Sequence, residues 1–140
     1  MIRAFTLAAL LGALLGMCRG HASAESYESW RARTPVTYVT PQETMGALMR
    51  AGMPLVDAAR LTLAAATCEA PVYDRDGRTL GASLVFVGDH GRAFGPFQIR
   101  YDVWGWLWDV YDMNRIEGHA AAAMVIYEEY GRTLKAWSCA

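Results

Sequence analysis

The stretch Gly88-Asp89-His90-Gly91-Arg92-Ala93-Phe94-Gly95-Pro96-Phe97-Gln98-Ile99, or GDHGRAFGPFQI, packs three glycines, a proline, an acid and an amide into twelve residues. Glycine and proline at such density turn the chain repeatedly, and short polar side chains in turns either bond their own backbone or face a ligand. Upstream, Asp76-Gly77 is a hairpin signal and residues 83–87 (SLVFV) are rich in strand formers. Residues 72–99 therefore read as a small antiparallel sheet of two or three short strands. What its turns present depends on what lies opposite them.

Before this region the pattern is helical. Thr40-Pro41-Gln42-Glu43 combines a threonine N-cap, proline at the first helical position and glutamate at the third, a capping box that starts a helix running to about Arg50. Gly52 and Pro54 stop it. From 55 to 69 the apolar residues Leu55, Ala58, Ala59, Leu61, Leu63, Ala65 and Ala66 predict a helix buried on most sides, and Pro71 forbids extension far beyond Glu69. After the sheet, helices are expected over about 103–111 and 115–130, the second closed by Gly131. Residues 25–39, with Tyr27, Trp30, Pro35 and Tyr38, read as an irregular arm on the surface. The fold class is α+β: mainly helical, with a small antiparallel β-hairpin sheet.

The chain opens with Arg3, an apolar run from Ala4 to Met17 and the small residues Ala22-Ser23-Ala24, the pattern of a cleaved signal peptide over residues 1–24. A lipid anchor at Cys18 is the weaker reading, because the bulky Met17 precedes it. No later segment reaches the roughly 18 apolar residues of a spanning helix, so no membrane association is expected after cleavage. The expected location is secreted or periplasmic. Two cysteines remain after the signal, Cys68 and Cys139, and in an oxidising compartment they admit one intramolecular disulfide. In the chain-entropy model so long a loop is worth up to about 4–5 kcal/mol. The alternative is two unpaired buried thiols.

Of 13 basic residues, Arg3 and Arg19 leave with the signal, so 11 face 14 acids. That balance gives no footprint for nucleic acid. His90 and His119 lack neighbours at ligand spacing, so no metal is expected, and no P-loop, dinucleotide fingerprint or nucleophile elbow implies a cofactor.

Glu69 is the residue best placed for chemistry. A carboxyl among apolar neighbours at the negative end of a helix dipole holds its proton to higher pH than a free one, which suits a general acid. The bland alternative is a surface glutamate at a frayed helix end. Asp89 lies twenty residues on, in a turn where hydration keeps it ionised. A protonated acid facing an ionised one is the pair a glycosidase uses. Taken without Glu69, Asp89 reads as a turn former instead.

A helix ending in Glu69, a short polar hairpin region, GD.G.A.GPFQI and then Trp104 together resemble the lysozyme superfamily. The likeness is nearest to invertebrate-type lysozymes and lysozyme-like bacterial transglycosylases. It covers roughly 55–104, with a weaker echo in the last helix and Lys135-Ala136-Trp137. The resemblance implies a lysozyme-like catalytic domain over 40–140, Glu69 as general acid, Asp89 as second carboxylate and Gly95 to Gln98 as a wall of the glycan groove. Gln98, Phe97, Tyr101 and Trp104 are the implied substrate contacts, with bonding to its own turn as the alternative for Gln98. Trp104 and Trp108 share a helix face and Trp106 points elsewhere, so core packing competes with sugar stacking there. The sequence departs from the family in Ala70-Pro71, where serine usually follows the acid, and in having only two cysteines after the signal.

The implied activity is cleavage of peptidoglycan glycan strands by an exported glycoside hydrolase, a muramidase that would be antimicrobial toward a foreign wall. The alternatives are a lytic transglycosylase using Glu69 alone and a non-catalytic glycan- or protein-binding relative. An unrelated secreted helical protein stands behind these.

Overall fold

The structure, a computed structural model, describes residues 38–140. The signal peptide and residues 25–37 of the expected arm lie outside the described residues. Its last two residues, Tyr38–Val39, are not irregular: they form strand β1, antiparallel to a later strand with Tyr38 opposite Ser83 and Val39 opposite Ala82.

Helix α1, Pro41–Arg50, begins as its sequence dictates. The Glu43 amide donates to the Thr40 hydroxyl at 3.3 Å and the Thr40 amide donates to the Glu43 carboxylate at 2.8 Å, which satisfies two of the free donors of the first turn. Helix α2, Leu55–Ala64, departs from expectation at its end. Instead of continuing as α-helix to Glu69, the chain widens into a π-helical turn over Ala65–Glu69, with the Ala70 amide donating to the Ala65 carbonyl at 3.1 Å. Pro71 cannot extend the ladder, and the Thr79 hydroxyl donates to the Ala66 carbonyl at 2.8 Å, tying the widened turn to the sheet beside it.

That sheet consists of β1, β2 (Pro71–Tyr73) and β3 (Thr79–Ser83), in the order β1-β3-β2 with antiparallel pairs. The main strand thus falls four residues before the apolar run at 83–87. Gly81 explains the shift, since a Cβ there would lie 1.9 Å from the Val39 carbonyl oxygen, and only glycine lets β1 approach β3 so closely. Leu84 then leaves the ladder to enter the core. A second antiparallel sheet holds β4 (Val87–Gly88), β5 (Ala93–Phe94) and β6 (Ile99–Arg100) in that order. The GDHGRAFGPFQI stretch supplies all of it but Val87 and Arg100, with a 3₁₀ turn over Asp89–Gly91.

The helix expected over 103–111 is two pieces: α3, Tyr101–Trp104, and a 3₁₀ segment, Gly105–Asp109. Trp104 and Trp108 pack against the core and Trp106 is exposed, as their spacing required. Helix α4, Ile116–Glu129, ends one residue inside each expected boundary. It is buried along Ala120, Ala123 and Ile126 against a core that includes Leu48, Leu61, Phe97 and Leu107. The Tyr127 hydroxyl donates to Asp57 on α2 at 2.5 Å. Helices and small antiparallel sheets packed in this way make the chain α+β, with two three-stranded sheets where one was expected.

Candidate active site

Glu69 is the last residue of the π-helical turn and is half-buried. Its Oε1 is buried with no hydrogen-bond partner among the described residues. Burial lifts the carboxyl above its ordinary value of 4.5, and the Cys139 amide opposes that rise by favouring the ionised form. The widened turn matters here because one extra residue per turn rotates the side chain relative to the face an α-helix would give it.

Cys139 is bonded to Cys68, with Cα atoms 6.2 Å apart, so the residue beside the acid is covalently joined to the closing segment of the described chain. Two residues earlier, the indole Nε1 of Trp137 donates to the Phe97 carbonyl at 2.8 Å, and Trp137 is buried. A continuous path therefore runs from Cys68, beside Glu69, through Cys139 and Trp137 to the GPFQI turn. The sequence marked Cys68, Glu69, Cys139 and the turn separately. The contact between them comes from residues far apart in the chain.

The GPFQI turn is built tightly. Gly95 has φ +76°, and a Cβ there would sit 2.4 Å from Cε1 of His119, so the buried imidazole on α4 lies directly under the turn. Complete burial pushes His119 down to about 4, against a backbone hydrogen bond with Met113 and the charge of Asp112, so the ring is neutral at physiological pH. Phe97 is fully buried. Its side chain serves the core and cannot stack on a sugar, which corrects its expected place among the substrate contacts. The Gln98 side-chain amide donates to the carbonyls of Gly95 at 2.9 Å and Phe86 at 3.3 Å, and its oxygen lies against Gly88. Gln98, itself at φ +45°, thus braces its own turn. Tyr101 packs edge-on against Trp108 and Phe94, at ring distances of 4.9 and 5.8 Å. Trp104 is half-buried against the core.

Asp89 stands apart from this path. Its backbone is left-handed, at φ +46°. One carboxylate oxygen accepts from Arg92 at 2.8 Å, and the other lies 3.8 Å from the Arg100 guanidinium, which is itself paired with Asp102. Neither arginine is marked as a partner of Asp89 by the sequence motif itself. The spacing from Asp89 to Arg92 was a usable signal, whereas Arg100 arrives through the pairing of Ala93 with Arg100 across β5 and β6.

Among the described residues no group of three or more His, Cys, Asp or Glu is placed to hold a metal ion, and no helix is long and apolar enough to cross a membrane. Comparison with family models, with curated proteins and with solved structures finds no match to this chain.

Proposed function

We propose that this protein is an exported, lysozyme-like enzyme that cleaves the glycan strands of peptidoglycan, with Glu69 as its general acid. The single observation that carries the reading is the state of Glu69: a half-buried carboxyl raised by burial and bearing a buried oxygen with no hydrogen-bond partner among the described residues. Burial keeps such a carboxyl protonated to higher pH than a free one, the state a general acid needs, and to reach a substrate oxygen the side chain must turn its buried Oε1 outward. The two α+β features around it, a helix end bearing the acid and a small antiparallel sheet built from GDHGRAFGPFQI, are compatible with the lysozyme-like fold.

In the reaction Glu69 protonates the glycosidic oxygen between N-acetylmuramic acid and N-acetylglucosamine. The C1–O bond breaks, the electron pair leaves with the departing sugar, and an oxocarbenium-like centre develops at C1. Asp89 can meet that charge only by loosening its pairs with Arg92 and Arg100. Its pairing favours the route in which Glu69 is the sole carboxyl: the resulting carboxylate accepts the proton of the muramic acid C6 hydroxyl as that oxygen closes on C1, giving a 1,6-anhydro end. In a hydrolase, water fills the same role and leaves a reducing end.

Mass analysis of fragments released from purified peptidoglycan tests the reading. Anhydro-terminated muropeptides are the expected products and reducing ends would transfer the second step to water. Absence of released fragments overturns the proposal.

A further inference from the structure

Leu55, Val56 and Leu63 are exposed on α2, and scattered apolar side chains of that kind are ordinary on a protein surface. Phe86 differs from them. Its ring is exposed and makes no ring contact among the described residues, yet its backbone is held at two points. The Phe86 carbonyl accepts from the Gly95 amide at 2.9 Å and from the Gln98 side chain at 3.3 Å. An exposed ring on a fixed backbone loses little freedom when a ligand stacks on it.

Gln98 places a polar group beside that ring. The hydrogens of its Nε2 are spent on the carbonyls of Gly95 at 2.9 Å and Phe86 at 3.3 Å, which decides which end of the amide is oxygen. Oε1 accepts no hydrogen bond from the described residues and is not buried. A Cβ on Gly88 would lie 2.1 Å from that oxygen and 3.5 Å from Cε1 of Phe86, so the acceptor and the ring edge meet over one glycine. An apolar disc with an open acceptor at its edge matches a sugar that bears an acetamido group. The axial C–H bonds of the pyranose form an apolar face, and the acetamido N–H is a donor at its rim. The pair also lies on the chain that leads from the acid. The Ser83 amide donates at 2.8 Å to the carbonyl of Ala70, the residue after Glu69. Phe86 follows Ser83 by three residues, at most about 11 Å of extended chain.

We propose that Phe86 and Oε1 of Gln98 together bind one N-acetylhexosamine of the glycan strand, the ring stacking on the C–H face of the sugar and the oxygen accepting its acetamido N–H. The choice of a glycan as ligand rests on the reading of Glu69 as the acid of a glycan-cleaving enzyme. The arrangement of ring and acceptor does not. Phe86 touches the substrate away from the bond that breaks, so its loss falls on KM and spares kcat.

The experiment is an NMR titration of isotope-labelled Glu69→Gln, which keeps the ligand uncut. The probes are the β-1,4 tetramer of N-acetylglucosamine and the β-1,4 tetramer of glucose, which keeps the rings and the linkage and lacks the acetamido group. With the acetylated tetramer the Phe86 ring protons and the Gln98 side-chain amide are expected to shift along one saturation curve. The glucose tetramer should bind weaker by about tenfold or more, because it leaves Oε1 without its donor. Phe86→Leu keeps apolar bulk without the aromatic face and should weaken binding about fivefold, and Phe86→Tyr should restore it. Phe86 signals that stay still, wild-type binding by Phe86→Leu, or equal binding of the two tetramers overturns the inference. In a second arm with Glu69 intact and peptidoglycan as substrate, Phe86→Leu should raise KM about fivefold with kcat within about twofold. Cleavage with an unchanged KM overturns the inference and leaves Glu69 as the acid. A protein that binds the acetylated tetramer through Phe86 and cleaves no peptidoglycan sinks the functional proposal and leaves the sugar site standing.

Discussion

The indole of Trp137 donates to the carbonyl of Phe97 across forty residues of sequence, at 2.8 Å and inside the core. The segment that carries Cys139 is thereby fastened to the GPFQI turn at one end and, through the disulfide, to the residue beside Glu69 at the other. Trp137→Phe keeps most of the buried ring and strands the Phe97 carbonyl, which should cost about 1–3 kcal/mol. Thermal unfolding measures that cost.

The direction of the Glu69 shift fixes two pH dependences. Because the acid must carry its proton, cleavage should decline as pH rises through the folded value, above the ordinary 4.5. For stability the sign runs the same way: the folded state binds this proton more tightly than the unfolded state. The contribution is complete below 4.5 and is lost as pH rises through the folded value. Glu69→Gln, which carries no charge at any pH, should therefore melt higher than wild type near neutrality. That advantage should vanish in acid. A melting difference that is constant with pH would show that burial does not perturb this carboxyl.

Gly95 joins a left-handed backbone to direct contact with His119. Gly95→Ala places a methyl where Cε1 of the imidazole lies 2.4 Å away and imposes strain at φ +76°. Together these should destabilise by about 2–4 kcal/mol. His119→Ala in the same chain removes the clash and leaves the strain, so the double variant should lose less stability than the two single losses combined. Chemical denaturation of the four proteins tests this cycle.

Asp89 is paired with two arginines, and an acid in that condition contributes little as a free negative charge. Asp89→Asn should lower cleavage of peptidoglycan by less than tenfold, far less than loss of a positioned general acid, which is worth about 100-fold or more. A loss equal to that of Glu69→Gln would return Asp89 to the role of second carboxylate.

Local signals in the sequence were enough for the capping box at Thr40, the ends of α4, the alternation of buried and exposed tryptophans and the pairing of the two cysteines. Each depends on residues within a turn or two, or on a choice with one intramolecular solution. What escaped were consequences of packing. The π-helical turn at 65–69 needs Thr79 from a neighbouring strand, the position of β3 needs the contact of Gly81 with Val39, and the break at Gly105 divides a pattern that looks continuously helical. At the site the sequence marks Glu69 and the turn but is silent on what connects them. Phe97 illustrates the difference: an aromatic in a ligand-like loop motif faces the core, because the tight turn around Gly95 draws it inward.

The most direct test of the account is the rate at which purified peptidoglycan suspensions clear with wild type and with folded Glu69→Gln. Wild type should clear the suspension and the variant should be slower by at least about 100-fold, the scale of a positioned general acid. Equal rates for the two proteins would contradict it.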